Sequence, residues 1–343
     1  MKGSTIALDT WNGREAAALI VDGRLEDLFI EDDQPRPGNL YRAIAQRPMK
    51  GQGGMFLDTP DGSAFLRQVK GLSPGQPMLV QVTGFAEPGK AIPVTAKLLF
   101  KSRYAIVTPE APGLNVSRQI KDDDLRESLL ELVHDTLGEV ALPEGAGLIL
   151  RSSCAGASED EIAEDIIAMA ELSKAVLADM TGAAELLVDG EGPHGLAWRE
   201  WSDPAEIDDQ PGSFARHGVD EMLEALKSPV VPLGNGASMV IEPTTALVAV
   251  DVNTGNDTSP AAGLKATLNA FRDLPRQLRL RGLGGVVVVD PAPMPKKDRR
   301  QVEQALKAAL KKDRVETIVV GWTNLGMLEL QRKRDRVPVK GLL

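Results

Sequence analysis

Cysteine, histidine and aromatic residues are scarce in this sequence of 343 residues. It contains one cysteine, Cys154, and three histidines, and aromatic side chains make up only 4% of the chain. A single cysteine excludes an internal disulfide framework and any zinc site that is built from several cysteines. No run of 18 apolar residues and no signal-peptide pattern occurs, so we expect a cytoplasmic protein without a membrane span. The length suits two or three domains with an ample core.

Positive charge is also scarce over most of the chain. The formal net charge is −10, which by itself argues against a nucleic-acid partner. Residues 261–343, however, contain 18 lysines and arginines against 8 acidic residues. A basic carboxyl-terminal part on an acidic body is compatible with local binding of phosphates, although charged helix faces are commonly just solvated. The charge distribution therefore leaves a nucleic-acid partner open.

Two short β-branched runs in the carboxyl-terminal third each end on an aspartate. The runs are ALVAVD, which ends at Asp251, and VVVVD, which ends at Asp290, and an apolar helical pattern lies between them. This order predicts a β-α-β unit with parallel strands. Open α/β sheets bind ligands at the carboxyl ends of their strands. Both carboxylates are therefore expected at one rim, close enough to share a cation.

Two interpretations of this aspartate pair are open. Two carboxylates at one edge repel each other, and a hard divalent cation with oxygen ligands would relieve that repulsion. Alternatively, each aspartate caps the turn or helix that follows it. Asn253 lies two residues after Asp251 and favours the metal site, because its amide oxygen would add a ligand.

Several longer strings carry a resemblance to a known family. The most specific are VAVDVNTG at residues 248–255, RQLRLRGLGGVVVVDPAPM at residues 276–294 and LGMLELQRKR at residues 325–334. Together with NLYRAI, GMFLDTPDGSAFL, PGLNVSRQI and LPEGAGLILRS nearer the amino terminus, they resemble the catalytic region of the bacterial ribonuclease E/G family. The resemblance covers most of the chain and becomes weaker between about Ala157 and Pro229.

The resemblance implies both a fold and an activity. The fold is mixed α/β: a ribonuclease-H-like subdomain with an inserted small oligonucleotide-binding (OB-type) β-barrel, followed by a deoxyribonuclease-I-like α/β catalytic subdomain. The activity is a magnesium-dependent endoribonuclease that hydrolyses single-stranded RNA to products with 5′-phosphate and 3′-hydroxyl ends, in RNA processing or decay. Asp251 and Asp290 are the implied ligands of Mg²⁺, with Mn²⁺ as the alternative, and Asn253 is the implied third catalytic residue.

The resemblance also implies domain boundaries. Residues 1–38 and 94–185 form the ribonuclease-H-like subdomain with a region like a 5′-phosphate sensor, and residues 39–93 form a shortened barrel that binds RNA. Residues 186–229 are an acidic connecting segment, and residues 230–343 form the magnesium-binding catalytic subdomain. The sequence does not include the CPxCxGxG zinc link that usually follows in the family. No zinc is therefore expected, and a homo-oligomer is left open.

Local patterns predict elements within these domains. A capping-box pattern at Ser158 predicts a helix over residues 158–182. Pro275 lies inside the helical pattern between the two aspartates and predicts a kink or a restart there. Short strands are predicted over residues 5–10, 16–22 and 26–30.

Candidate RNA contacts follow from the resemblance. Phe56 and Phe65 lie where the family has phenylalanines on which the bases of a single strand stack, and Lys90 matches a nearby basic position. The alternative is that both rings belong to the core of the barrel. Arg276 and Arg279, on one polar face of the predicted helix, are further candidates for RNA contacts.

A pocket for the 5′-monophosphate of RNA is implied at Gly113, Val116, Arg151 and Ser152. A guanidinium can bind two phosphate oxygens and a hydroxyl adds a donor, whereas the alternative is an exposed arginine at a strand end. The second arginine of this pocket corresponds to Glu316, whose carboxylate would repel a phosphate. Poor discrimination of the RNA 5′ end is therefore expected, unless Arg314 supplies the missing cation.

Two other functions stay open. The shortened barrel and the missing zinc link favour a non-catalytic RNA-binding or scaffolding relative. A magnesium phosphatase for small molecules is a further alternative, against which the barrel argues. The combination of Asp251, Asn253 and Asp290 favours the endoribonuclease, since no other pair of residues offers comparable chemistry.

Overall fold

The structure is a computed structural model that describes residues 3–49, 53–68, 71–259 and 261–342. Within these residues the helices α1 to α7 are Asp123–Glu139, Glu159–Ala178, Pro193–Glu200, Ser213–Arg216, Val219–Leu226, Ala262–Leu280 and Arg299–Leu310. The strands β1 to β10 are Ser4–Trp11, Arg14–Val21, Arg24–Ile30, Leu40–Met49, Gly54–Thr59, Gly62–Leu66, Pro77–Val82, Ile92–Thr95, Phe100–Lys101 and Ala105–Thr108. The strands β11 to β20 are Gly113–Val116, Gly147–Leu150, Glu185–Val188, Glu206–Asp208, Val230–Gly234, Ala237–Pro243, Val248–Asn253, Gly285–Asp290, Thr317–Trp322 and Leu328–Arg332.

The chain divides into two compact units. The split unit comprises Met1–Asp32 and Ala205–Leu343, and the central unit comprises Asp33–Pro204. This division differs from the expected subdomain of residues 1–38 with residues 94–185. The physical reason is strand pairing: β1 pairs with β2 and with β14, all in the split unit, whereas β9 to β12 form a separate sheet in the central unit.

The first sheet of the split unit has the strand order β14-β1-β2-β3. The three amino-terminal strands occur where they were predicted. Helices α4 and α5 contribute Phe214, Val219 and Leu223 to the core beneath this sheet, all at most 2% exposed. Residues 186–229 are therefore more than a connecting segment, because they supply β14 and part of a core.

The second sheet of the split unit has six strands in the order β15-β16-β17-β18-β20-β19. Helix α6 links β17 to β18, which are parallel, so the predicted β-α-β unit is confirmed. Valines of β17 and β18 pack with Phe271 of α6 and Leu306 of α7 in one core. These two helices thus cover one face of the sheet. The opposite face, called here the open face, carries exposed side chains that include Val286 and Ile318.

Helix α6 runs from Ala262 to Leu280 without interruption, so the restart predicted at Pro275 is wrong. The proline lacks an N–H group and removes one helical hydrogen bond. Burial of the residues around it offsets that cost, since Phe271, Leu274 and Leu278 are all at most 1% exposed. The carbonyl of Pro275 also accepts a hydrogen bond from Arg332 Nη2 at 3.3 Å.

The central unit contains the predicted barrel. Strands β4, β5, β6, β8 and β7 pair in that order, and the pairing of β4 with β7 closes the cylinder. Its interior is filled by buried apolar side chains, among them Leu57, Ala64 and Val80. Strand β13 extends this sheet by pairing with β4. An OB-like barrel is therefore the architecture of this part of the chain.

The other sheet of the central unit has the order β11-β12-β10-β9, and helices α1 and α2 supply the remainder of its core. Helix α2 begins at Glu159, directly after the predicted capping box. Ser158 Oγ accepts a hydrogen bond from the backbone N–H of Glu161, and the Glu161 carboxylate accepts one from the backbone N–H of Ser158. In the described residues, no helix is long and apolar enough to cross a membrane.

Candidate active site

The two aspartates owe their position to strict alternation along β17 and β18. Val248, Val250 and Val252 point into the core at 2–3% exposure, so the intervening Ala249, Asp251 and Asn253 lie on the open face. On β18 the same alternation buries Val287 and Val289 and places Asp290 on the open face. Both carboxylates are exposed. Asp251 was expected to be the last residue of its strand, but β17 continues two residues further, to Asn253.

The register of the parallel pair brings the carboxylates side by side. Asp251 is the direct neighbour of Asp290. Adjacent strands of a sheet lie about 4.8 Å apart, so the two side chains project from neighbouring positions on one face. Asn253 Nδ2 donates a hydrogen bond to Asp251 Oδ2 at 2.8 Å. In the described part of the chain neither carboxylate forms an ion pair, which leaves both anions available to a ligand.

The donor set fits a magnesium ion. Mg²⁺ keeps several water ligands and is commonly bound by one or two carboxylates together with phosphate oxygens of the substrate. Asp251 and Asp290 supply two carboxylates on an exposed surface that water and phosphate can reach. No cluster of three or more histidine, cysteine, aspartate or glutamate residues suited to a metal occurs among the residues that the structure describes. Among the described residues, the open face therefore does not provide a site in which all ligands of the ion come from the protein.

Close backbone contacts hold the loops at this rim. A Cβ atom on Gly263, in the first turn of α6, would lie 1.9 Å from the carbonyl oxygen of Pro293, in the loop after Asp290. A Cβ atom on Gly255, in the loop after Asn253, would lie 2.1 Å from the carbonyl oxygen of Gly236. Only glycine permits either approach, so the loops that follow the two aspartates are tightly packed against neighbouring backbone.

Arg276 and Arg279 do not lie where the sequence analysis expected them. Arg279 has a side chain only 6% exposed, and it forms ion pairs with Asp27 at 3.2 Å, with Glu26 at 2.7 Å and with Asp313. Arg276 donates to the carbonyl of Leu25 at 2.6 Å and pairs with Asp273 of its own helix. Their shared face of α6 is directed at the amino-terminal strands and not at solvent. We therefore exclude both from the candidate RNA site.

Phe56 and Phe65 lie on the outer surface of the barrel. They are direct cross-strand neighbours on β5 and β6, while the residues that flank each of them are buried in the barrel core. Both rings are half-buried, and their centroids are 5.2 Å apart. This geometry fits the stacking interpretation better than the core interpretation.

The sequence analysis missed Arg47, which belongs to the same cluster. Residues 46 and 47 of β4 face only Phe56 of β5, which is the geometry of a β-bulge. The bulge places the Arg47 guanidinium 5.3 Å from the centre of the Phe56 ring. Lys90, the expected basic residue, pairs instead with Glu87 at 2.8 Å, and its side chain is 64% exposed. Arg47 is thus the cation that accompanies the rings, and no helix- or strand-period signal identifies it.

Of the four residues expected to form a 5′-phosphate pocket, Val116, Arg151 and Ser152 lie at one end of a strand ladder, and Gly113 lies at the other. Strands β11 and β12 are parallel, and Gly113 pairs with Gly147 at one end of the ladder. Arg151 follows Leu150 at the other end, about 13 Å away at the rise of a β-strand. Val116 pairs with Leu150 at the same end as Arg151, and its side chain is only 6% exposed and belongs to the core. Ser152 begins a short 3₁₀ helix next to Arg151.

The guanidinium of Arg151 is fully engaged by the protein itself. Its Nη1 donates to the carbonyls of Ser102 at 2.5 Å, Arg199 at 3.1 Å and Arg103 at 3.3 Å. Its Nη2 pairs with Glu200 Oε2 at 2.8 Å. Lys101 and Arg199 pair with the other oxygen of Glu200, at 2.7 and 2.8 Å. A carboxylate thus occupies the position in which a phosphate was expected.

The protonation of Glu200 reflects these three cations. Burial alone would raise the pKa of its carboxyl group, but the charges of Lys101, Arg151 and Arg199 outweigh burial and lower that pKa to about 2. Glu200 is therefore an anion at neutral pH, and it competes with any phosphate for Arg151.

Comparison with known proteins gives the family of this chain. The sequence profile of the Ribonuclease E/G family matches residues 100–206 and residues 202–335. The chain belongs to the ribonuclease E/G family. The second matched range contains Asp251, Asn253 and Asp290, and the first contains Arg151 and Glu200. Phe56 and Phe65 lie outside both ranges.

Individual family members match nearly the whole chain. Ribonuclease E of Nostoc sp. is 28% identical over 385 residues, a match that covers 94% of the chain and 54% of that protein. Ribonuclease G of Haemophilus influenzae is 27% identical over 392 residues, with 95% of the chain and 78% of the relative covered. Ribonuclease G of Escherichia coli K12 is 28% identical over 395 residues, with 95% and 79% covered. The chain therefore spans about half the length of the Ribonuclease E relative.

Proposed function

We propose that this protein is a magnesium-dependent endoribonuclease that hydrolyses single-stranded RNA and leaves 5′-phosphate and 3′-hydroxyl ends. One observation carries the proposal: in a chain of the ribonuclease E/G family, two aspartates are in-register neighbours on an exposed sheet face, with no ion pair to either in the described residues. Family membership supports the class of enzyme, an endoribonuclease acting in RNA processing. The metal and the product ends are the further steps of the proposal.

The chain's own residues have separable tasks in this proposal. Asp251 and Asp290 would hold Mg²⁺, with Mn²⁺ as the alternative ion. Asn253 holds Asp251 in place through its 2.8 Å hydrogen bond. When bound, Mg²⁺ supplies stabilisation of the negative charge that develops on the phosphodiester and a nucleophile at neutral pH. The rigid sheet fixes both carboxylates without a moving loop, because each lies within a strand and not beyond its end.

Binding of the RNA strand is assigned to the barrel. Phe56 and Phe65 present two half-buried rings on its outer surface, and Arg47 adds a cation at 5.3 Å from one of them. Base–aromatic stacking tolerates any base sequence, because every base has a π-face. This surface therefore supports binding of single strands without strict sequence specificity.

The RNA 5′ end is not a major determinant in this proposal. Arg151 is engaged by three carbonyls and by Glu200, and Gly113 lies at the other end of the β11–β12 ladder. A 5′-monophosphate would have to displace the Glu200 carboxylate from three cations. We infer that the enzyme cleaves RNA largely independently of the chemical group at the 5′ end.

The test is cleavage of an unstructured, end-labelled RNA by the purified protein, with Mg²⁺ and with a chelator. The proposal predicts internal cleavage that requires the divalent ion. Products should be substrates for ligases that need a 5′-phosphate and for polymerases that need a 3′-hydroxyl. Cleavage that persists in chelator, or products with cyclic phosphates, would overturn the proposed mechanism.

A further inference from the structure

Trp198 is an unusual surface residue. Its side chain lies in the last turn of α3 and is 53% exposed, whereas Trp201, three residues later, is 2% exposed. Among the large hydrophobic residues that are exposed in the described ranges, Trp198 is the one aromatic residue. Exposure of so large an apolar ring has a hydration cost, and solvent-facing tryptophans are typical of binding surfaces.

The ring of Trp198 is held in place from one side. The Arg103 guanidinium lies 3.8 Å from its centroid, and Arg103 Nη1 donates a hydrogen bond to the backbone carbonyl of Trp198. Arg103 Nε is buried and has no hydrogen-bond partner among the described residues, so the guanidinium is directed to the ring. A cation on one face fixes the orientation of the indole and lowers the entropy cost of stacking a ligand on the rest of it.

The cations of the nearby Glu200 cluster are already engaged in ion pairs. Lys101, Arg151 and Arg199 surround Glu200, and Arg199 also pairs with Glu191 at 2.9 Å. These cations are not available for a phosphate unless an internal ion pair breaks. A ligand at Trp198 is therefore expected to bind by stacking and not through its charge.

We propose that Trp198, backed by Arg103, is a stacking platform for a base of single-stranded RNA. This inference rests on the proposed function, because it takes RNA as the ligand. A nucleobase needs only one exposed ring on which to stack. A protein partner would need a contiguous apolar patch of several hundred Å², and no second exposed aromatic residue accompanies Trp198 in the described part of the chain.

The experiment measures binding of a fluorescent oligouridylate to the whole protein in chelator, where no cleavage occurs. Trp198→Ala should weaken binding by about 5- to 100-fold, the range for loss of one base–aromatic stack. Trp198→Phe should retain most of the affinity, and Trp198→Leu, which keeps the apolar area, should not. Leu99→Ala is the matched control, since Leu99 is a large hydrophobic residue of the same unit that is 46% exposed.

Salt dependence separates stacking from charge. Stacking releases no counterions, so the ratio of the wild-type and Trp198→Ala affinities should be the same at low and at high salt. If the ratio of the two affinities falls as salt rises, the affinity lost in Trp198→Ala comes from charge interactions that release counterions. That result would overturn the stacking platform. Far-ultraviolet circular dichroism of each variant establishes that it is folded, and Trp198→Leu keeps the test decisive if the alanine variant is not.

Other outcomes distinguish the two proposals. Wild-type affinity in Trp198→Ala, with weakened binding in Phe65→Ala, would overturn the platform and leave the proposed function intact. Unchanged RNA affinity with altered self-association in sedimentation would make Trp198 a protein interface and would also overturn the platform. If the wild-type protein binds no RNA at all, the proposed function itself is wrong.

Discussion

Two charged clusters were expected to bind ligands, a metal ion at the aspartate pair and an RNA 5′-phosphate at Arg151, and their surroundings in the fold differ. Asp251 and Asp290 lie exposed on neighbouring strands, and Asn253 donates a hydrogen bond to Asp251. Arg151, in contrast, is enclosed by three carbonyls and by Glu200, which itself binds two further cations. The first cluster has charge that a ligand can neutralise. In the second, the cations are already paired with a carboxylate of the protein.

This difference is a guide to function. A residue type and its place in a motif show what chemistry is available, but the partners in the fold decide whether that chemistry faces a ligand. Arginine is a residue type that is well suited to binding phosphate. Arg151 and Arg279 are nevertheless structural by their contacts, while two carboxylates with no ion pair in the described residues mark the candidate active site.

The largest expected effect comes from removing one charge of the exposed pair. Asp251→Asn and Asp290→Asn should each lower the RNA cleavage rate by about 10²–10³-fold or more, the magnitude of losing a principal electrostatic stabiliser. Melting temperature without metal should stay equal or rise slightly, because like-charge repulsion is relieved. The control is Glu242→Gln on β16, an exposed carboxylate of the same sheet. Full activity in either aspartate variant would contradict the assignment.

Substitution in a buried cluster of ion pairs should instead lower the stability of the fold. Asp313 has a side chain 1% exposed, and it pairs with Arg279 and with Arg332 at 2.5 Å. Asp313→Ala should lower the free energy of unfolding by about 3–5 kcal/mol, because it leaves buried cations without their partner. Denaturant unfolding measures this, with the exposed Glu316→Ala as the neutral control. A loss below about 1 kcal/mol would show that the network is dispensable.

The Glu200 cluster should make stability depend on pH. The pKa of Glu200 is about 2 in the folded protein, against 4.5 for an unperturbed glutamate. A lowered pKa in the folded state stabilises the fold above the unfolded pKa, and the stabilisation disappears as pH falls through the folded pKa. The stability of the wild type relative to Glu200→Gln should thus fall by roughly 3 kcal/mol as pH drops from about 4.5 to below 2. A difference that does not change over this range would contradict the ion cluster.

The barrel phenylalanine should affect RNA binding more than folding. Phe65→Ala should weaken single-strand binding by about 1–3 kcal/mol through loss of one stack. Its effect on stability should be smaller than the roughly 3–5 kcal/mol expected for a core phenylalanine such as Phe271, which is 0% exposed. Melting and RNA affinity, measured on both variants, distinguish the cases. If Phe65→Ala unfolds as readily as Phe271→Ala, the ring belongs to the core.

The smallest effect is predicted at the RNA 5′ end. Cleavage rates of two RNAs that differ only in a 5′-monophosphate or a 5′-hydroxyl should agree within about threefold, which is less than about 1 kcal/mol. The Glu200→Gln variant offers a sharper test of preference for the RNA 5′ end, because it removes the carboxylate that competes with a 5′-phosphate for Arg151. A tenfold preference for monophosphate in the wild type, abolished by Arg151→Ala, would show that the pocket operates despite Glu200.

The β-α-β unit that carries the candidate active site could be predicted from sequence because its signals are local. Alternation of valines with polar residues gives the strands, and the helical period between Asp251 and Asp290 gives the parallel crossover. The barrel was predictable through its short strands and its resemblance to a family. In both cases the information lies within a few tens of residues.

Contacts between residues that lie far apart in the sequence could not be predicted from such local patterns. Glu200 reaches Arg151 across 49 residues from a segment without clear periodicity, and Asp27 reaches Arg279 across most of the chain. An arginine on the polar face of a helix looks solvent-exposed in sequence, whether or not an acidic strand later packs against it. The pairing of β14 with β1 has the same origin, since strands three residues long carry little pattern.

We propose that the exposed aspartate pair is a divalent-cation site. Electron paramagnetic resonance of Mn²⁺, titrated into the protein with a non-cleavable single strand bound, tests it most directly. The account predicts one bound Mn²⁺ per chain, displaced by excess Mg²⁺, with much weaker binding in Asp251→Asn and in Asp290→Asn. Equal Mn²⁺ binding by the wild type and both variants would contradict it.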